Sequence, residues 1–362
     1  MITPRTRRGA AVLAAGTLLL AACGSDDDAS TLQTAEVDDT TENVADDETA
    51  AVAAAPTVVA TTSIWADVTA NVACDGLAAV ETIIPLGGDP HSFEPSLRDR
   101  ETMDNAELVV ANGLFLEESL ADTIDAVESN GVTVLRVGDE LDPLPAGDSS
   151  HDDDDHDDDH ESDDESDDDH ENHEGDDDHD HGEFDPHVWW DPTRMAAAVP
   201  PIADALADAG VDRAALDACS DSYIDELNAL DTEVTSIVAP LPADQRILVT
   251  NHDSLSYFAD RYGFEVVGSV IPSSSSLAAT SPAELDALAA DIEATGVPAI
   301  FADTQSSTDD ADALANRIGN VEVVALLTGT LDESGSTAGT YTGWLRQNVQ
   351  TIVDALNQSP AN

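Results

Sequence analysis

The chain has no lysine; all twelve of its positive charges are arginine, set against 76 aspartates and glutamates, for a formal net charge of −64. A surface of that sign repels phosphate backbones and anionic headgroups, which excludes nucleic acid as a partner and favours cations. The missing lysine itself is compositional bias. Three motifs are also absent. Without a G-x-x-x-x-G-K-[ST] loop, any ATP hydrolysis belongs to a partner. Without H-E-x-x-H or G-x-S-x-G, metallopeptidase and serine-hydrolase chemistry have no signature. Aromatic residues make up only 4% of the chain, and cysteines number three. Long apolar runs are lacking except for Gly9 to Ala22, which is too short to span a bilayer comfortably.

That run follows Arg5, Arg7 and Arg8 and ends in LAAC at Cys23. The pattern resembles the signal peptide and lipobox of bacterial lipoproteins. The resemblance implies cleavage before Cys23, lipidation of its thiol and an anchor on the outer face of the cytoplasmic membrane; ordinary secretion is the alternative. Residues 1–22 are then the signal segment. Residues 23–56, small and acidic, cannot bury enough surface to fold and read as a tether. Export to an oxidising space makes a Cys74–Cys219 disulfide an expectation, with two buried thiols as the other outcome.

From residue 57 onward the pattern is regular. TVVATT (57–62) is a continuous β-branched run, as in a strand buried on both faces. Further strands are expected at 78–86, 107–113 and 132–138, with helices between them at 64–73, 97–106 and 116–131. The second half repeats the rhythm: strands at 246–250, 264–271, 298–303 and 321–327, helices at 254–263, 281–296, 308–319 and 340–357. Ser281, Pro282 and Glu284 form a helix-starting capping box. Alternation of this kind predicts an α/β fold with parallel sheets, in two lobes. The boundaries expected are 57–191 for the first lobe, with an acidic loop at 147–183, then 192–240 for linking helices and 241–362 for the second lobe. Apolar positions from Leu216 to Ile237 predict one long stiff helix of about 40 Å. Pro200–Pro201 is expected to interrupt the helix before it.

The histidines carry the functional signal. Seven of ten lie in the acidic run: His151, His156, His160, His170, His173, His179 and His181. The other three are His91 in GGDPHSFEPS, His187 in FDPHVWWDP and His252 in LVTNHDSLSYF. His91 and His252 sit just past strands, where open α/β sheets bind ligands. Each alone reads as an ordinary hydrogen-bonded histidine, and each Asp-Pro as a turn. Together they read as a nitrogen-rich metal site, which favours Zn²⁺ over Ca²⁺ or Mg²⁺.

DPHSFEPS, DPHVWWDP and HDSLSYFADRYG, in that order around a His/Asp-rich loop, resemble the zinc-specific solute-binding proteins of bacterial ABC importers. That metal-binding cluster also holds manganese binders and adhesin-like lipoproteins. The likeness runs over about 57–357. It implies two Rossmann-like lobes joined by a rigid helix, a metal site in the interlobe cleft, and an ABC permease and its ATPase as partners; the protein is expected to be a monomer. The family's first three ligands fall on His91, His187 and His252. Manganese-binding relatives typically carry Glu at the third, so His252 leans toward zinc. The fourth position departs from the pattern: many members place Asp where this chain has Gly329. Asp303 is the preferred substitute, with Asp332, Glu333 or water as alternatives, and an outer role beside a ligand imidazole as the plainer reading of Asp303.

Composition makes the acidic run a solvated loop with 22 carboxylates and seven imidazoles between Asp148 and Glu183. It is expected either to collect zinc weakly beside the main site or to act as a spacer. Trp189 and Trp190 are expected in the cleft wall, Phe93, Tyr257, Phe258 and Tyr341 in the core, and Glu94 as an outer or surface group. The leading reading is a zinc-binding lipoprotein that performs no chemistry. Its rivals are a zinc buffer or adhesin without a permease, and a three-histidine zinc hydrolase.

Overall fold

The computed structural model describes residues 55–74, 76–147 and 182–358. Cys23 and the seven loop histidines lie outside the described residues.

Four parallel strands form the first sheet: β1 (Thr57–Ala60), β2 (Ala79–Thr82), β3 (Leu108–Ala111) and β4 (Thr133–Arg136), in the order β2-β1-β3-β4. Helices α1 (Ser63–Val72), α2 (Leu97–Asp104) and α3 (Ala121–Ser129) make the crossovers. The second lobe has β5 (Ile247–His252), β6 (Glu265–Ile271), β7 (Ala299–Asp303) and β8 (Glu322–Leu326), also all parallel, in the order β6-β5-β7-β8. In each lobe the strand order reverses beside the first strand. That switch point opens a crevice at the carboxyl ends of the strands.

Central strands are continuous apolar runs because helices cover both faces. β3 is LVVA, buried throughout; the edge strand β2 is AVET and mostly exposed, which shortens it below the expected 78–86. Two expected helices are trimmed. The 116–131 segment opens with a 3-10 turn at Glu118–Leu120 before α3, and α6 is Ser256–Tyr262.

Two further helices link the lobes, α4 (Pro192–Asp208) and α5 (Arg213–Val238). Pro200 and Pro201 lie inside α4, so the expected interruption does not occur. The carbonyls they deprive of a donor belong to Ala196 and Ala197, on the half-exposed and exposed side of the helix, where water can donate instead. Asp212 caps α5 by accepting from Ala215 N–H at 2.9 Å. The 26 residues of α5 run for about 39 Å at ~1.5 Å per residue. The helix packs on α1 of the first lobe and on α9 (Tyr341–Leu356) of the second. The remaining helices, α7 (Pro282–Thr295) and α8 (Asp309–Ile318), flank the second sheet.

One apolar core runs through both lobes and the linking helices, from Trp65 and Val110 through Trp190, Leu227 and Trp344 to Phe301. A smaller core lies between the first sheet and α2–α3, around Val59, Met103 and Ile124. A disulfide joins Cys74, after α1, to Cys219 in α5, with Cα atoms 5.7 Å apart. Among the described residues, no helix is long and apolar enough to cross a membrane.

Candidate metal centre

His91, His187 and His252 come from three separated stretches of chain. His91 lies in the loop between β2 and α2. His187 opens the 3-10 turn Val188–Trp190, and His252 is the last residue of β5. All three are buried. Their ring centroids lie 5.5, 5.7 and 5.1 Å apart, and one nitrogen from each falls within 4.8 Å of the others.

The Nε2 atoms of His187 and His252 approach to 3.2 Å, and the buried His91 Nε2 has no hydrogen-bond partner. Burying an imidazole nitrogen without a partner is unfavourable. The orphaned His91 nitrogen and the facing His187 and His252 nitrogens together form a donor set that fits a borderline divalent cation.

Each far nitrogen meets a carboxylate. His187 Nδ1 lies 2.7 Å from Asp185 Oδ1, His252 Nδ1 2.6 Å from Asp303 Oδ2, and His91 Nδ1 3.3 Å from Glu118 Oε1. A carboxylate on the outer nitrogen fixes the tautomer that leaves Nε2 as an acceptor, and raises its basicity. The three anionic partners also offset the charge of an incoming dication.

The local sequence explains how the rings are presented. In Asp185-Pro186-His187 the proline keeps Asp185 extended, and its Oδ1 accepts the His187 backbone N–H at 2.9 Å. Tyr257 donates to the Asp185 carbonyl at 2.7 Å and accepts from Leu144 N–H at 3.0 Å, which ties the turn to α6. His252 owes its place to the end of β5. Asp303, at the end of the neighbouring β7, is thereby brought alongside it.

The charges follow from this packing. Burial, reinforced by the two neighbouring imidazoles, holds His187 well below the usual histidine range, so it is neutral and ready to bind a cation. Burial also pulls on His252, but the Asp303 charge and hydrogen bond outweigh it and raise His252. Against its own burial, Asp303 is drawn down to about 2 by His252. Desolvation lifts Asp185 to about 6.

Asp303, expected as the fourth donor, is not brought into the three-nitrogen cluster; its Oδ2 holds the outer edge of His252. Asp332 and Glu333 are exposed and also outside the cluster. Gly329 does line the cleft, and a Cβ there would lie 3.3 Å from Pro90 Cδ and 3.1 Å from the Gln305 side-chain amide.

Trp189 lines the cleft and donates from Nε1 to Thr328 O at 2.8 Å, whereas Trp190 is buried against Trp344 and Phe258. Tyr257, Phe258 and Tyr341 are buried, Phe93 is half-buried and Glu94 is exposed. Sequence reasoning missed Glu118, Asp185 and Asp89. Asp185 and Asp89 had a signal in their repeated Asp-Pro-His, and Glu118 had none.

The family model described as zinc-uptake complex component A periplasmic matches residues 58–355. The chain belongs to this family. Its members are substrate-binding proteins of metal ABC transporters, not enzymes. The zinc-binding protein TroA of Treponema pallidum is 28% identical over 306 residues, 83% of this chain and 88% of that protein. The manganese-binding lipoprotein MntA of Halalkalibacterium halodurans is 27% identical over 302 residues, with the same coverage of 83% and 88%.

Among solved structures, periplasmic zinc-binding protein TroA superposes with a TM-score of 0.70 at 26% identity, covering 84% of this chain and 99% of that one. A manganese-bound periplasmic metal-binding protein from Candidatus Liberibacter asiaticus, with a TM-score of 0.64 at 22% identity, shows the same fold. The family reading thus supports a divalent metal as cargo, and its relatives include both zinc and manganese binders.

Proposed function

We propose that this protein captures Zn²⁺ outside the cytoplasm through His91, His187 and His252 and hands it to an ABC permease driven by a separate ATPase. The observation that carries the reading is the convergence of three imidazole nitrogens within 4.8 Å, each ring held by a carboxylate. A hard-cation site for manganese is built mainly from oxygen, whereas an all-imidazole cluster suits zinc. Asp303 serves in this reading by orienting His252, and solvent completes the coordination.

The relatives named lipoproteins support lipidation at Cys23 and residence on the outer face of the cytoplasmic membrane, where in this reading the protein acts as a monomer. The histidines of the acidic run would gather zinc at low occupancy near His187. The test is metal uptake by cells lacking this protein under zinc scarcity, complemented with wild type or with single alanine variants of the three histidines. Zinc uptake should fail in the deletion and in all three variants. A deletion that impairs manganese uptake and leaves zinc uptake intact would overturn the assignment.

A further inference from the structure

We propose that Asp89 clasps the two lobes across the mouth of the metal cleft by holding Ser276, and so sets how fast a bound divalent cation leaves. The proposal deepens the metal-capture reading and rests on it.

Asp89 lies in the first lobe, between β2 and α2. Its Oδ1 accepts the His91 backbone N–H at 3.1 Å, and its Oδ2 accepts the Ser276 hydroxyl at 2.7 Å and the Ser92 hydroxyl at 3.1 Å. Ser276 belongs to the second lobe, in the serine run between β6 and α7. Asp89 and Ser276 both line the cavity in front of the three histidines.

The rest of the serine run is tied to its own lobe. Ser273 O accepts from Asp253 N–H at 2.9 Å, Ser275 N–H donates to Ser273 Oγ at 3.1 Å, and Leu277 N–H donates to Ser275 Oγ at 3.2 Å. Within the serine run, Ser276 is the one whose side chain hydrogen-bonds the first lobe; elsewhere in the second lobe Thr330 Oγ1 accepts from Gly87 N–H at 3.1 Å, and Tyr257 bonds Leu144 and Asp185. The contacts therefore run from His91 through Asp89 and Ser276 to Asp253, next to His252. An ion gripped by His91 on one side and His252 on the other cannot leave by that route until this charge-assisted hydrogen bond opens.

Asp89 is available for the task because Glu118 has taken over the His91 ring. In the matching turn at Asp185, the carboxylate holds the ring itself and makes no such reach. Asp89 is thus a positioning residue, acting on the ion through His91 and the opposing loop.

The full-length protein tests this with Ser276→Ala, Ser276→Thr and Ser92→Ala. In metal-free protein, amide hydrogen exchange over residues 274–280 should rise in Ser276→Ala. It should return toward wild type in Ser276→Thr, which keeps the hydroxyl, and stay unchanged in Ser92→Ala. With one equivalent of Zn²⁺ loaded, release to a chelator should be about tenfold faster in Ser276→Ala, the scale of one hydrogen bond to a charged group. Ser276→Thr should restore slow release, and Ser92→Ala should match wild type.

Unchanged exchange in Ser276→Ala would overturn the clasp, and altered exchange with unchanged release would overturn its control of the ion. Failure of the metal-capture reading appears separately, as wild-type protein that takes up no tight equivalent of Zn²⁺. The exchange comparison still reads the clasp in that case.

Discussion

Asp89-Pro90-His91 and Asp185-Pro186-His187 are the same tripeptide folded into the same turn, yet their carboxylates do different work. Both accept the backbone N–H of their own histidine, at 3.1 and 2.9 Å. At Asp185 the same oxygen also holds the ring, 2.7 Å from Nδ1, with both side chains almost fully buried. At Asp89 the ring turns away to Glu118 at 3.3 Å, and that glutamate side chain is 20% exposed. The difference lies in the surroundings. Asp185 is enclosed by Tyr257 and the core, whereas Asp89 faces two serine hydroxyls that both donate to its second oxygen. One histidine is set rigidly into the linking region; the other is held by a looser partner at the cleft mouth. A three-letter motif therefore fixes the turn, and its neighbours decide what the turn is for.

The largest effect expected is loss of a ligand. His91→Ala, His187→Ala and His252→Ala should each weaken zinc binding by more than the ~100-fold upper range for an outer partner, read by chelator competition. Three variants with wild-type affinity would remove the centre altogether. Next come the carboxylates, where the two turns should separate. Asp185→Asn and Asp303→Asn should each cost about 100-fold in zinc affinity, and Glu118→Gln about tenfold, because its contact is longer and wetter. Equal losses would erase the contrast drawn above.

A third measurement concerns the framework that carries His91. Reducing Cys74–Cys219, or replacing both with serine, should lower stability by about 2–4 kcal/mol in denaturant unfolding, since the bond closes a stretch of 145 residues. Zinc affinity should move less than in Glu118→Gln. If it moves more, the His91 side depends on the disulfide and not on its carboxylate.

The smallest effect expected is on pH dependence. Glu117, beside Glu118, is buried and accepts from Thr61 Oγ1, Asn112 N–H and Gly113 N–H at 2.6, 2.7 and 3.1 Å. Burial pushes its carboxyl up despite these bonds. The native state then holds a proton that the unfolded chain has already released, so stability falls as pH rises from the ordinary glutamate range through the raised value. Glu117→Gln should flatten that slope in metal-free protein. A steeper slope would reverse the sign assigned here.

Much of the fold was legible in the sequence. Strands buried on both faces must be continuous apolar runs, and TVVA, LVVA and AIFAD announce themselves. Ser281 and Glu284 marked the start of α7, and Gly263 and Gly296 take the left-handed conformation that ends α6 and α7. The proline pair in α4 misled, because whether a proline interrupts a helix depends on which face its missing hydrogen bonds point to.

In the candidate centre, the three histidines that converge were all singled out from their loop positions, and the place of Asp303 on the His252 ring matches its plainer reading and not the preferred one as a fourth donor. Glu118 and Ser276 were not legible. Glu118 lies 27 positions from His91, and Ser276 lies 187 from Asp89.

By itself, the sequence determined two parallel α/β lobes, a stiff linking helix, the acidic surface and the identity of the imidazoles, because periodicity and composition act over a few residues at a time. Only the tertiary structure decided which nitrogens meet, which carboxylates hold the His91 and His252 rings and which oxygen is left to bridge the lobes. Those choices depend on distances between strand ends and loops far apart in the chain, and no local pattern records them.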